Sequence, residues 1–403
     1  MAQVLIAGGG IGGLSAALAC ARAGARVSLY ERAAAFSEVG AGIQLGPNAM
    51  RVLHDWGLQA ALAQVVALPE QLQVRSAVSG AVLGCLRLGE TAQQRYGAPY
   101  ATIHRADLHT LLLQQLRQRG DVQLNTGSAV VGVAQTDAGV CLQLVDEPCV
   151  SGDLLVAADG GWSLLRQQLL GDGTPLPTGH LAYRAMVQQS ALSAALRSQQ
   201  VTAWLGPKLH VVQYPVRRGA WLNVVAIVHG QAQGDMSHWD HSANAADLQR
   251  ALAATCAPLR DLVDAIGQWR LWPLSIRPPM TGAHQQAVAR VALLGDAAHP
   301  MLPYLAQGAA MAIEDAATLA RVLAAGGLLR AGSAAAAPAD VPAMLRDYAA
   351  RRWQRNARVQ ARAIRNGVIF HAEGLLRLGR DLAMRVAGER LLDQAWLYAG
   401  GPV

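Results

Sequence analysis

Lysine is nearly missing from this 403-residue chain: Lys208 is the only one, so the net charge of +7 rests almost wholly on arginine. Charged residues make up 15% and apolar residues 52%, which excludes a disordered chain and leaves a globular protein long enough for two intertwined domains. A basic balance suits nucleic acid, and equally small anions such as dinucleotides and carboxylates. Aromatic platforms are not interleaved with the densest arginines, Arg351 to Arg365, whose helical spacing reads as a solvated helix face. The cysteines, Cys20, Cys85, Cys141, Cys149 and Cys256, contain no CxxC pair, so reduced, buried thiols of a cytoplasmic protein are expected rather than disulfides. Residues 2–21 carry no charge, yet no basic segment opens the run and five glycines fall between positions 8 and 13. Those features argue against a signal peptide and a membrane helix. No internal repeat is visible. "HWDH" (238–241) has no clustered third ligand nearby, so no metal site is expected.

What is present reads as α/β. Val4 to Ala7 is a short apolar run fit for a parallel strand buried on both faces. A helix is expected over Leu14–Ala23, stopped by Gly24, and a second strand over Arg26–Tyr30. Apolar alternation around 70–90 predicts antiparallel strands, and residues 104–120 a helix with Asp107 in its first turn. Three further strands are expected between 122 and 160. "VTAWLG", "LHVVQYPV" and "WLNVVAIVHG" then form a β-rich insert between about 180 and 275. "RVALLGDAAH" resumes the parallel-sheet pattern, 325–342 reads as a loose connection, and the rest as helix.

Three turns follow strands of parallel-sheet character. Gly8, Gly10 and Gly13 form a GxGxxG between strand and helix, with Glu31 ending the next strand 23 residues after Gly8. In that context the glycines let backbone approach a pyrophosphate, the helix N-terminus offers unpaired N–H groups, and Glu31 can accept from ribose hydroxyls. "ADGGWSLLR" places Asp159 in a second such turn. "GDAAHPMLPYLAQGAAMAIEDA" (295–316) places Asp296 in a third, ahead of a helix that begins near Ala309. Only Asp296, Glu314 and Asp315 are acidic in that stretch. A lone carboxylate in a neutral Pro/Gly turn suits a large, polar, partly anionic ligand. His299 reads as a loop cap.

Together with "IHRADL", these motifs resemble the single-component FAD monooxygenases of the p-hydroxybenzoate hydroxylase type, in the right order and over most of the chain. "GAGIQLGPNAMRVLHDWGL", "HPMLPYLAQG" and "WLY" resemble the subgroup of salicylate hydroxylase, 3-hydroxybenzoate 6-hydroxylase and 6-hydroxynicotinate 3-monooxygenase. The resemblance implies a Rossmann-like FAD-binding domain (1–178 and 276–341, with a small β-rich segment near 70–100). It is interleaved with a smaller β-sheet substrate domain (179–275) and followed by C-terminal helices (342–403). It implies that Arg32, Gln44, Arg105 and Val130 join the three glycines, Glu31 and Asp159 around FAD. Asp296 would hold the ribityl chain, while Pro303, Gly308 and Ala309 shape the loop against the ring. NADH or NADPH would reduce FAD, O₂ would add at flavin C4a, and the hydroperoxide would attack an electron-rich ring. Dimers are usual in the family; no nucleic acid or membrane partner is implied.

In "KLHVVQYPV", His210 and Tyr214 stand four apart on a strand and so share a face with Val212. Such a pair could deprotonate or orient a phenolic hydroxyl, and the resemblance agrees, since the 3-hydroxybenzoate 6-hydroxylase type places a catalytic His and Tyr at this spacing. Two departures leave the aromatic substrate open: the glutamine of that type near Pro303 is missing, and "AHQQAVARV" lacks the Trp-x-x-Gly-Arg often found there. A reductase or dehydrogenase of the same fold, without oxygen insertion, is the alternative reading. A flavin-binding interaction protein without turnover is a second.

Overall fold

The protein is described from a computed structural model covering residues 1–36, 41–146, 148–231, 241–242, 245–329 and 340–402. Its nucleotide-type sheet has the strand order Ala287–Val288, Val291–Leu293, Leu154–Ala157, Gln3–Ala7, Arg26–Glu31, Val122–Thr126. All neighbours are parallel except the first pair. The central strand is buried on both faces, which is why Val4 to Ala7 carries no polar residue. Ala7 pairs with Ala157, and Ala157 with Leu293, so the three expected turns leave the same sheet end side by side. Ligands of open α/β sheets bind in the crevice at that end.

The fingerprint helix runs Ile11–Arg22, starting three residues before the expected Leu14. Gly12 and Gly13 read as turn residues on propensity, but they form the first helical turn, where Gly13 lets the helix pack close against the Gly8 backbone. A Cβ on Gly13 would collide with the Gly8 carbonyl oxygen.

A second, eight-stranded sheet has the order His241–Ser242, Arg270–Ile276, Leu176–Gln188, Trp221–His229, Leu209–Val216, Val201–Gly206, Gln71–Ser76, Val82–Arg87. The strands near 70–90 thus extend the sheet of the insert, through a parallel pairing of Gln71–Ser76 with Val201–Gly206. The back face packs Tyr183, Val211 and Val224 against the helices Ala245–Leu252 and Ala257–Asp264. The front face packs Ala182, Ile227 and Trp272 against Tyr304 and the long helix Val341–Phe370. A two-stranded ladder, Gly42–Leu45 with Ala101–His104, lies over one end of that face.

The cysteine expectation needs correcting. Cys141 and Cys149 form a disulfide, because the antiparallel hairpin of Val140–Leu144 and Val150–Gly152 brings their Cα atoms to 5.6 Å. Of the free thiols only Cys20 is buried; Cys85 is exposed and Cys256 half-buried. Much of the expected loose connection lies outside the described residues (330–339). Among the described residues no helix is long and apolar enough to cross a membrane.

Candidate active site

The first turn forms a phosphate-sized cradle. Gly8 has φ +104°, and a Cβ there would run into the Ala158 carbonyl. Gly10 caps a helix that has no acid in its first turn, so the amide ends face the crevice unopposed. Glu31 closes its rim: one carboxylate oxygen accepts from the Gly9 N–H at 2.7 Å and the other from Ala33 N–H at 2.9 Å. Arg32 beside it is exposed. Gln44 accepts the Tyr100 hydroxyl proton, Arg105 opens the helix Arg105–Arg117, and Val130 opens the strand Val130–Gln135.

Asp159 follows the strand Leu154–Ala157. Its Oδ2 accepts from Leu165 N–H at 3.2 Å, while Oδ1 is buried with no partner among the described residues, and burial raises its pKa. An orphaned buried oxygen is what a bound donor group would satisfy. Arg166, which ends the same motif, donates to the carbonyls of Ala297 and Ala298 and pairs with Asp172. It therefore ties the second turn to the third.

Of the three acids in the third turn, two are consumed internally. Glu314 and Asp315 are fully buried in the helix Gly308–Ala325. Arg352 reaches Glu314 at 2.8 Å and Asp315 at 2.7 Å, and Arg355 reaches Glu314 at 2.7 and 2.8 Å. His299 Nε2 lies 2.5 Å from Asp315, which also accepts the Gly295 N–H. Burial pushes the Asp315 carboxyl upward, but His299 and Arg352 outweigh it and hold it well below the usual carboxylate range. The arginine-rich segment is therefore not simply a solvated face: Arg352 is buried and Arg355 half-buried, because helical spacing turns them toward these acids.

Asp296 alone is exposed, with no hydrogen-bond or ion-pair partner among the described residues. Its Oδ1 lies 3.9 Å from where a Cβ on Gly308 would stand, at the helix N-terminus. Gly308, Ala309 and Ala310 offer first-turn N–H groups there. Pro303 opens the short turn Pro303–Leu305, which ends at Ala306 with φ +52°. A non-glycine residue held left-handed costs energy and is typical of functional loops.

Above this crevice lies the front face of the large sheet. His210 and Tyr214 do share it: Val211 between them packs into the back core and Val212 into the front. Their Cα atoms are about 13 Å apart along the strand, enough to span a substituted aromatic ring. The Tyr214 hydroxyl donates to the Gly42 carbonyl at 2.7 Å, while the Gly42 N–H donates to Asn223 Oδ1 at 2.7 Å. Any Cβ on Gly42 would crowd Tyr214 and Asn223 at 2.7 and 2.8 Å. Tyr214 is thus a clamp on the Gly42–Leu45 strand in this structure.

His210 is buried, edge-on to Tyr304 and Phe370 at 5.0 and 5.3 Å. Its Nδ1 bonds His371 Nε2 at 2.7 Å, and its Nε2 has no partner among the described residues. Burial, with His371 and His180 nearby, drives its pKa well below 6.5, so the ring is neutral and able to accept a proton. Arg184 shares the face, stacked over Trp272 at 4.6 Å, with an unpartnered Nε. Burial lowers its pKa to about 10, still cationic at neutral pH.

Comparison with known proteins decides what this arrangement is. The family model described as an FAD binding domain matches residues 1–362. A 3-hydroxybenzoate 6-hydroxylase of Polaromonas naphthalenivorans (strain CJ2) is 36% identical over 397 residues, covering 98% of this chain and 95% of that one. The chain belongs to the FAD-dependent aromatic monooxygenases. A 6-hydroxynicotinate 3-monooxygenase of Bordetella bronchiseptica is 35% identical over 360 residues, covering 89% of each chain. The crystal structure of Klebsiella pneumoniae HpxO complexed with FAD and uric acid superposes with a TM-score of 0.83 at 27% identity, covering 100% of this chain and 97% of that one.

Sequence reasoning about this monooxygenase overlooked several residues. His180 and His229 face each other across paired strands, and His371 caps the long helix beside them. No local pattern marks these positions, since only strand register and helix packing unite them. Arg166 was legible as part of a motif, but not as the tie between two turns. His238, Trp239 and Asp240 lie outside the described residues.

Proposed function

We propose that this monooxygenase uses NADH or NADPH and O₂ to hydroxylate a phenolic or hydroxypyridine carboxylate. The observation that carries this reading is neutral His210, whose Nε2 has no partner among the described residues, buried on a face that also holds the Arg184 cation. His210 takes the proton of the ring hydroxyl and makes the ring more nucleophilic; Arg184 offsets the carboxylate charge. Tyr214 shapes the pocket by holding Gly42 in place. When bound, the flavin supplies the redox chemistry of oxygen transfer.

The cradle of Gly8, Gly10 and Gly13 would take the diphosphate, Glu31 a ribose, and Asp296 the ribityl hydroxyls. Asp159 would add its free oxygen. Arg32, Gln44, Arg105 and Val130 would line the remainder, and Pro303, Gly308 and Ala309 would offer the loop and helix amides to the ring. Residues 1–178 and 276–341 serve the cofactor, apart from the strands Gln71–Ser76 and Val82–Arg87 that extend the substrate sheet; 179–275 serve the substrate, and 342–403 brace both. The enzyme is a cytoplasmic homodimer, and the surface Cys141–Cys149 pair is the feature that this compartment would keep open to reduction.

The test is a panel of hydroxylated benzoates and pyridine carboxylates, scored for NAD(P)H consumption and product, with His210→Asn beside wild type. Hydroxylation should fall about 10²–10⁴-fold in the variant while flavin reduction persists. Equal loss of both steps would overturn the role of His210. No consumption with any candidate by FAD-loaded protein would overturn the function.

A further inference from the structure

Four histidines from three strands and one helix end meet on the substrate face itself, and three of them are hydrogen-bonded in series. His210 Nδ1 meets His371 Nε2 at 2.7 Å, and His371 Nδ1 meets His229 Nε2 at 3.0 Å. The series runs outward: His210 and His371 are buried, whereas His229, the last residue of the strand Trp221–His229, is exposed. The fourth ring, His180, stacks on His229 at 4.5 Å and takes the Tyr304 hydroxyl at 2.6 Å, so it braces the series from the side. Nitrogens of His180, His229 and His371 lie within 4.8 Å of one another, but hydrogen bonds already occupy both nitrogens of His371. The arrangement is a wire of donors and acceptors.

Resting on the reading of His210 as the base, we infer that His371 and His229 carry the substrate's hydroxyl proton from His210 to solvent. The substrate O–H breaks with its electron pair left on oxygen, and the proton goes to His210 Nε2. His210 passes its Nδ1 proton to His371 Nε2. His371 passes its Nδ1 proton to His229 Nε2, and His229 releases its Nδ1 proton to water. One proton enters and one leaves, nothing is oxidised or reduced, and each ring ends as its other neutral tautomer. The path run backwards re-protonates the bound product and restores the starting tautomers.

Neutral rings suit such a wire. Burial, with His180, His229 and Arg380 adding repulsion, pushes His371 down to about 3, and burial with His229 pushes His180 to about 4. Among the described residues the acid near the series is Glu373, which favours an imidazolium only at His229, the solvent end, and itself faces Lys208 at 3.6 Å. The Tyr304 hydroxyl also lies against the series, itself kept protonated by burial. A proton accepted at His210 is therefore passed on rather than held.

The experiment uses FAD-loaded enzyme and 3-hydroxy-4-nitrobenzoate, a probe whose phenolate is coloured. A stopped-flow jump to higher pH reports how fast bound probe loses its proton. His371→Gln keeps a polar side chain but cannot relay, and should slow that step about 100-fold with little change in probe Kd. His229→Gln, at the surface, should slow it less and recover with added imidazole, which a structural role would not show. Wild-type deprotonation rates in both variants would overturn the relay alone. So would one transition-metal ion per chain that His371→Gln removes. A probe that does not bind, with the benzoate and pyridine panel equally inert, would overturn the aromatic reading and the relay with it.

Discussion

Replacing Arg352 by methionine tests the foundation of the flavin loop. The guanidinium donates at 2.7 Å to Asp315, at 2.8 Å to Glu314 and at 3.2 Å to Asn356, with every partner buried. Methionine fills similar volume, so the loss is electrostatic. Glu314 keeps both bonds from Arg355, and Asp315 keeps His299 and Asn356, so the penalty falls mainly on a half-compensated Asp315. Breaking a buried pair by removing one partner costs about 3–5 kcal/mol, and the remaining partners place this one near the lower end. Because Asp315 also receives the Gly295 N–H, FAD affinity should drop with stability.

The pH dependence has a definite sign. Asp315 has a depressed folded pKa, so its pairing contributes stability fully above the unfolded value of about 3.9 and loses it as pH falls toward the folded one. In the variant, burial acts with less opposition and raises that pKa. The gap between wild type and variant should therefore be widest near pH 7 and narrow as pH falls through the variant's raised pKa toward the depressed wild-type one. The assay is urea unfolding with FAD in excess, followed by tryptophan fluorescence across that range. A loss below about 1 kcal/mol, or a gap that widens toward acid, would refute the reasoning.

Asp296→Ala should leave folding intact and weaken FAD binding about 10–100-fold, the worth of one or two charge-assisted hydrogen bonds, by fluorescence titration. Gly13→Ala should abolish FAD retention, read as flavin absorbance per protein, because its Cβ meets the Gly8 carbonyl. Tyr214→Phe should cost about 1 kcal/mol of stability by loosening Gly42, with KM moving more than flavin reduction. Light scattering should give a dimer, and Leu382→Arg with Val386→Arg on the exposed apolar stripe of the helix Gly374–Leu392 should shift it to monomer.

The turns at Gly8, Asp159 and Asp296 were legible because each is a local event, a strand end followed by glycine or aspartate. Parallel register then gathers them, and that too follows from their apolar strands. The shared face of His210 and Tyr214 was legible from a period of two, but the bond from Tyr214 to Gly42 was not, being set by a ladder 172 residues away in sequence. Helical spacing among the arginines could not say which of them turn inward, since the buried acids answering Arg352 lie 37 and 38 residues before it. The disulfide and the histidine series were hidden for the same reason, as both depend on pairing between strands.

Oxygen insertion is the central claim, and mass spectrometry of the product formed under ¹⁸O₂ tests it most directly. Purified FAD-loaded protein, NADH or NADPH, and the benzoate and pyridine panel should yield a product carrying one labelled oxygen. A product with no label, formed while the nicotinamide is consumed, would contradict it and leave a reductase or dehydrogenase on the same fold.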